Sequence, residues 1–408
     1  GDSRRAQRIS DEQWQELERA YAGSVGTCNV MGTASTMAIL AETLGLMLPG
    51  TALIRATDPR RKVAAEQTGA AIVNLVRRDM RPSDFLTPAA FANALHAFLA
   101  VGGSTNAILH LIAIARRRRV PLSLDDFDRL ARDIPVLTDV QPAGSRLVGA
   151  FDDAGGVPAL LRVLASRLDL SCYAGTRTWA EALMATPTSS DNIDRTVIQS
   201  LNEPVQPAPG LAVLRGSLAP DGAVLRLATA SPHLARHIGN AVVFSNYNDM
   251  CARIDAPDLP VTADSVLVLQ DAGAAGVPGL PEWGNIPIPV KLLRQGVTDV
   301  VRVSDSRMSG TAAGTVVLHV APESARGGPL ALVRDGDRIS LDTTGRRIDL
   351  LVPEAELNVR RAAWAPPSRR HLRGYPAMYI DSVLGPEDGC DFDFLVPHDE
   401  AALTFVYP

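Results

Sequence analysis

The sequence predicts an α/β protein: a helix-rich α/β domain at 1–200, a linker at 201–210 and a β-barrel-like domain at 211–408. Three observations carry this. Up to about residue 200 apolar side chains recur at helical spacing. Pro204, Pro207 and Pro209 then break any regular element. Beyond them, short β-rich runs alternate with glycine or Asp-Gly turns such as Asp221-Gly222 and Asp335-Gly336.

Met37, Leu40, Ala41 and Leu44 predict a helix over Ser35–Leu44, ended by Gly45. Phe91, Leu95, Phe98 and Leu99 predict another over Pro88–Val101. Ile108, Leu111, Ile112 and Ala115 predict a third over Asn106–Ala115, and Asp152–Arg167 reads as a fourth. The strand-like runs are Leu211–Arg215, Ala223–Leu227, Ala241–Phe244, Ser265–Gln270, Val297–Val303, Thr315–Val320, Arg338–Leu341 and Arg347–Val352.

With 408 residues, 46% hydrophobic and 21% charged, the chain has enough apolar mass for ordinary cores. A net charge of −5 argues against nucleic acid or an anionic membrane as partner. The one basic cluster, Arg116–Arg119, ends a helical segment, where cations complement the dipole. Four scattered cysteines without a CxxC pair argue against a disulfide framework, so the expected location is the cytoplasm.

Several loops have the composition of a site. Arg302-Val-Ser-Asp-Ser-Arg-Met-Ser-Gly-Thr-Ala-Ala-Gly-Thr315 is a polar corner between two strand runs, with Ser309 near its middle. Read alone it is a Ser/Gly turn or a reactive corner, where Gly310 lets backbone approach a ligand closely. Cys28, in Gly26-Thr-Cys-Asn-Val-Met-Gly-Thr33, precedes a helix N-terminus. It reads as a small buried residue or as a thiolate suited to metal or nucleophilic chemistry. In Gly102-Gly-Ser-Thr-Asn106, Ser104 or Thr105 caps the next helix, or its free N–H groups take a carboxylate. Glu282, in Leu280-Pro-Glu-Trp-Gly284, is a surface glutamate or a ligand for a hard cation. The glycine-rich run from Asp271 to Gly279 is no dinucleotide loop, because Pro278 and Pro281 block the helix that fingerprint needs.

Together, Ser-Asp-Ser-Arg-Met-Ser-Gly-Thr, the segment Gly273–Glu282, Gly102–Asn106 and Gly-Thr-Cys-x-x-Met-Gly-Thr-Ala-x-Thr-Met resemble the dihydroxy-acid and sugar-acid dehydratase family. The likeness runs from about Gly26 to Leu395. Arg-Met-Ser-Gly-Thr and Gly-Cys-Asp-Phe-Asp-Phe-Leu are similar to the aldonate branch, of the pentonate (arabinonate or xylonate) type. The resemblance implies the same two domains, an iron–sulfur cluster of the 2Fe-2S rather than the 4Fe-4S kind, Mg²⁺, and a homodimer or homotetramer. It implies that Ser309 removes the C2 proton of a sugar acid, that Glu282 binds Mg²⁺ and that Cys28 ligates the cluster. It also places Ser104, Thr105, Asn106, Arg307, Gly310 and Thr311 near substrate, and Arg302 and Arg307, which flank the serine, are expected to help hold an anionic substrate. His110 and His319 are expected to be packing residues. The implied reaction is dehydration of an aldonate to a 2-keto-3-deoxy acid. Alternatives are a branched-chain dihydroxy-acid dehydratase and a cofactor-free relative or fragment that only binds a ligand or partner.

Family members also carry a long region before the segment matching Gly26. It supplies the other cluster cysteines, one within Cys-Asp-Lys, and further magnesium ligands. This sequence has no Cys-Asp-Lys, and only Cys28 matches a cluster position. The 408-residue chain alone is therefore expected to hold no intact cluster and to be inactive.

Overall fold

The computed structural model describes residues 1–21, 25–185, 193–368 and 373–396. Helices α1 (Asp2–Arg5), α2 (Asp11–Tyr21), α3 (Thr33–Thr43), α4 (Arg60–Arg77), α5 (Pro82–Phe85), α6 (Pro88–Ala100) and α7 (Asn106–Arg117) come first. Then follow α8 (Leu124–Ala131), α9 (Val148–Asp153), α10 (Gly156–Val163), a short hairpin β1 (Tyr173–Ala174) and β2 (Arg177–Thr178), and α11 (Trp179–Ala185).

Local chemistry explains the best-defined of these helices. Thr87 caps α6 by accepting the Ala90 N–H at 3.2 Å, with Pro88 at the first helical position. Ser123 and Asp126 form a reciprocal capping box that starts α8. The apolar faces then meet, with Phe98 and Phe127 edge to face at 5.7 Å. The helix expected over Asp152–Arg167 is in fact two helices and a 3₁₀ turn. Gly155, at φ 105°, takes the chain out of helical geometry between α9 and α10.

The second part holds β3 (Ala212–Leu214), β4 (Gly222–Leu225), β5 (Arg236–Phe244), α12 (Tyr247–Arg253), β6 (Val266–Leu269), α13 (Val290–Arg294), β7 (Val301–Ser304) and β8 (Val316–Ala321). It ends with β9 (Arg338–Asp342), β10 (Arg347–Leu350), α14 (Glu354–Ala363) and α15 (Tyr375–Ser382). The sheet order is β10-β9-β5-β6-β7-β8-β4-β3. Its centre, β5 to β8, is parallel and the flanks are antiparallel. The two outer strands meet: the Ile348 N–H donates to the Arg215 carbonyl at 3.1 Å, and the Arg215 N–H to the Arg346 carbonyl at 3.0 Å. That bridge closes the sheet into a barrel and leaves no long free edge.

Alternation along each strand divides its side chains between two cores. Val266, Val268, Val301, Val303, Ile339 and Leu341 fill the barrel. Leu267, Leu269, Val316 and Leu318 point the other way and join the core of the helical part. Both faces of β6, β7 and β8 are thus buried, which is why β6 reads as an unbroken apolar run, whereas β9 and β10 alternate between buried and more open positions. The run Val297–Val303 yields a strand only from Val301. Its first residues pack on the end of α13, where the Val297 N–H donates to the Leu292 carbonyl at 3.0 Å.

Candidate active site

Two loops leave the C-terminal ends of neighbouring parallel strands: one after β6 carries Glu282, the other after β7 carries Ser309. The backbone laces them together. Glu282 and Arg307 form a parallel bridge, the Trp283 N–H donates to the Arg307 carbonyl at 3.3 Å, and the Ser309 N–H donates to the Gly284 carbonyl at 2.8 Å. Trp283 stiffens the first loop by stacking on Tyr247 at 4.2 Å and donating its indole N–H to the Ala272 carbonyl at 3.0 Å. Ile286 and Ile288 are core residues.

From this plate Glu282 reaches the helical part. Its Oε2 accepts from Asn106 Nδ2 at 2.8 Å and from Thr33 Oγ1 at 3.2 Å. Asn106 also donates to the Met308 carbonyl at 2.8 Å, one residue before the serine, and Thr33 lies 3.1 Å from Ser104 Oγ. Gly310 allows the close approach, though to protein rather than to a ligand: a Cβ there would sit 2.6 Å from the Gly32 Cα.

The Ser309 hydroxyl is half-buried. It lies 2.8 Å from Thr311 Oγ1 and accepts the Thr311 N–H at 3.3 Å, a donation that stabilises negative charge on the oxygen. Thr311 and Cys28 line one cavity of about 970 Å³, together with Val30, Gln141, Pro142 and Gly144. Cys28 is exposed there. Cys172 is buried in the helical core, Cys251 is exposed on α12, and Cys390 is half-buried, its thiol pushed up first by desolvation and then by Glu323.

Two expectations need correction. The Ser104 hydroxyl does serve the first N–H of α7, but the helix start is not open to an anion. The N–H groups of Asn106, Ala107 and Ile108 already donate to Ser104 Oγ, the Ser104 carbonyl and the Thr105 carbonyl. Arg302 does not face substrate. It is 1% exposed and grips Asp299, Asn285 and the carbonyls of Ile286 and Ala313, while Asp299 also takes the Thr315 N–H and hydroxyl. Arg307 donates Nε to the Leu280 carbonyl at 2.8 Å, tying it to the Glu282 loop. The basic cluster lies, as expected, at the end of α7, with Arg116 and Arg117 in its last turn, and the two are in addition paired to Asp388 and Asp391.

Behind the corner lies a buried polar group to which the sequence assigned no role. Burial pushes Glu323 up to about 8, with Asp305 adding to the shift, and its Oε1 has no partner among the described residues. Asp305, pushed up by burial to about 6, accepts from Ala272 N–H and from Ser324. His319 is buried and pushed down to about 3, with neither ring nitrogen bonded among the described residues. His110 is lowered too, first by burial and then by the Arg307 charge.

Comparison with known proteins agrees with this architecture. Residues 2–182 match the model described as dihydroxy-acid/6-phosphogluconate dehydratase N-terminal, and residues 196–390 match its C-terminal counterpart. The chain belongs to this dehydratase family. It is 48% identical to 6-deoxy-6-sulfo-D-gluconate dehydratase of Pseudomonas putida, across 97% of this chain and 68% of that protein. It is 43% identical to L-arabinonate dehydratase of Rhizobium leguminosarum bv. trifolii, across 96% of this chain and 67% of that one. Dihydroxy-acid dehydratase of Acidothermus cellulolyticus is 42% identical, across 93% and 67%. Against these relatives the chain spans about two thirds of the full length. No helix among the described residues is long and apolar enough to cross a membrane.

The family uses an iron–sulfur cluster and Mg²⁺, and the residues present fit these two groups differently. Around Glu282 stand the hydroxyls of Thr33 and Ser104 and the Asn106 amide oxygen, which is buried and unpartnered among the described residues. One carboxylate with neutral hard oxygens is a donor set of the kind Mg²⁺ takes. The cluster does not fit in the same way. Cys28 alone of the four cysteines lines the cavity, and one thiol is not the protein's share of a cluster.

Proposed function

We propose that this chain carries the proton-abstracting corner of a hydro-lyase that converts a sugar acid, a 2,3-dihydroxy acid, to a 2-keto-3-deoxy acid. One observation carries the reading. Glu282, laced to the loop of Ser309, reaches Asn106 and Thr33 of the helical part beside a cavity that also takes in Cys28. The sugar-acid relatives support an aldonate over a branched-chain acid. In this reading residues 1–200 and 211–408 are two domains joined by 201–210, and the substrate lies between them.

Ser309, as alkoxide, takes the proton from C2. The electrons of that C–H bond form the C2–C3 double bond as the C3–O bond breaks, and the departing hydroxide takes up the proton that Ser309 accepted, leaving as water and restoring the alkoxide. The resulting enol gains a proton at C3, loses the one on its C2 oxygen and becomes the 2-keto acid. Thr311 supports the base through its N–H and its hydroxyl. Glu282, with the oxygens of Thr33, Ser104 and Asn106 around it, would hold Mg²⁺, which when bound would supply positive charge to stabilise negative charge developing on the substrate. Cys28 stands as one ligand of the cluster, and no step is derived through it.

The test is turnover of pentonates, hexonates and dihydroxyisovalerate by the full-length, metal-loaded protein, read as 2-keto acid. Aldonates are expected to react, and Ser309→Ala to lower kcat by about 10²–10⁴-fold or more with little change in KM. Turnover of dihydroxyisovalerate alone overturns the substrate choice, and an active Ser309→Ala variant overturns the base.

A further inference from the structure

The buried ionisable groups around the corner avoid bare charge by pairing, by neutralisation or, at Asp305, by accepting from the Ala272 N–H and from the N–H and hydroxyl of Ser324, and one group does none of these. Arg302 is paired with Asp299. Glu323 and His319 lack charged hydrogen-bond partners and adopt their neutral forms, the acid keeping its proton and the imidazole giving its proton up. Arg226, directly after β4, is 7% exposed, and its Nη1 donates to the Gly310 carbonyl at 2.9 Å. It has no ion pair with an acid among the described residues. Burial pushes its guanidinium down to about 10, and no neighbouring carboxylate offsets the shift. At neutral pH the group is still charged, since an arginine does not escape by losing its proton. A desolvated, unpaired cation is unfavourable, and a neutral donor would satisfy one carbonyl as well.

We propose that Arg226 binds an oxyanion of the substrate at the Ser309 corner, the ligand supplying the counter-charge that the fold withholds. The position suits this, because Gly310 lies between Ser309 and Thr311, and Thr311 lines the cavity of about 970 Å³. A guanidinium fork matches planar or tetrahedral oxyanions. A sugar acid offers such a group at C1, and a substituted one offers a second at its far end. The inference rests on the sugar-acid reading above.

The test is direct binding by calorimetry to the full-length, metal-loaded protein at fixed ionic strength. The probes are gluconate, the same acid carrying a C6 sulfonate, and the uncharged alditol sorbitol. Arg226→Met is expected to weaken gluconate by about 10- to 100-fold, the range of a charge-assisted hydrogen bond, and to leave sorbitol unchanged. Arg226→Lys is expected to recover part of the loss. A loss confined to the sulfonated acid assigns Arg226 to the far end of the substrate rather than to C1. Equal acid affinity in Arg226→Met and the unsubstituted protein overturns the inference alone, as does an equal fall for sorbitol. If the unsubstituted protein binds neither acid, the sugar-acid reading fails and takes this one with it. Should Arg226→Met not fold, Arg226→Lys decides on the same criterion: a loss for the acids and none for sorbitol.

Discussion

The loop from Asp305 to Thr315 is held at two places by arginines in opposite electrostatic states. Near its trailing end, Arg302 is dry and paired: an acid, an amide oxygen and two carbonyls receive its terminal donors, its Nε alone lacking a partner among the described residues, and Asp299 in turn fixes Thr315. In the middle, Arg226 grips one carbonyl and has no acid beside it among the described residues. The charge of the first is matched within the fold. The second is complete only with something added, and it adjoins the serine. Buried charge in this molecule therefore divides into charge that holds the scaffold and charge that awaits a ligand.

Substitutions break or sharpen that contrast. Arg302→Met should be the most damaging, about 3–5 kcal/mol by urea unfolding, because it strands Asp299 uncompensated in the interior. An effect under 1 kcal/mol would mean that the pair is not structural. Glu323 extends the comparison to an unpaired acid. Its folded value of about 8 lies above the ordinary 4.5, so between pH 5 and 8 the unfolded state releases a proton that the folded state retains. Wild-type stability therefore falls across that window. Glu323→Gln should remove this part of the fall, shifting the difference in its favour by about 1 kcal/mol per pH unit in denaturation series. A difference independent of pH would show that Glu323 is ionised in the folded protein.

Gly310→Ala should cost about 1–3 kcal/mol, since its methyl group would press on the Gly32–Thr33 backbone, and activity should fall with it. Arg226→Met should be the mildest for folding, within about 1 kcal/mol of wild type. The loss of one hydrogen bond is offset by removal of an unpaired buried charge. An unfolding cost equal to that of Arg302→Met would erase the distinction.

Much of this was legible in the chain. Apolar spacing gave α3, α6 and α7 nearly to their ends, and β3, β4 and β6 appear as apolar runs because both faces of the sheet are covered there, whereas β9 and β10 show as alternation. Helix α4 was not legible: Ala64 is its only buried residue, so it has no apolar stripe packed on a core. Barrel closure through Arg215 and Arg347 pairs residues far apart in sequence and leaves no local trace. The site divides the same way. Ser309, Glu282 and Cys28 stand out in glycine- and proline-marked loops, whereas the Asn106–Glu282 contact spans 176 positions. Arg226 did leave a signal. It is a charged residue inside Ala223-Val-Leu-Arg-Leu227, a run whose other members are apolar.

The lacing of the Glu282 segment to the Ser309 corner has a consequence for how such proteins diversify. Acid and hydroxyl ride on one β-bridged plate, so their spacing does not depend on the opposite wall of the pocket. A lineage can therefore reshape that wall, around Gln141 to Gly144, to admit a longer, shorter or differently decorated ligand while the Glu282–Ser309 spacing passes unchanged to its descendants.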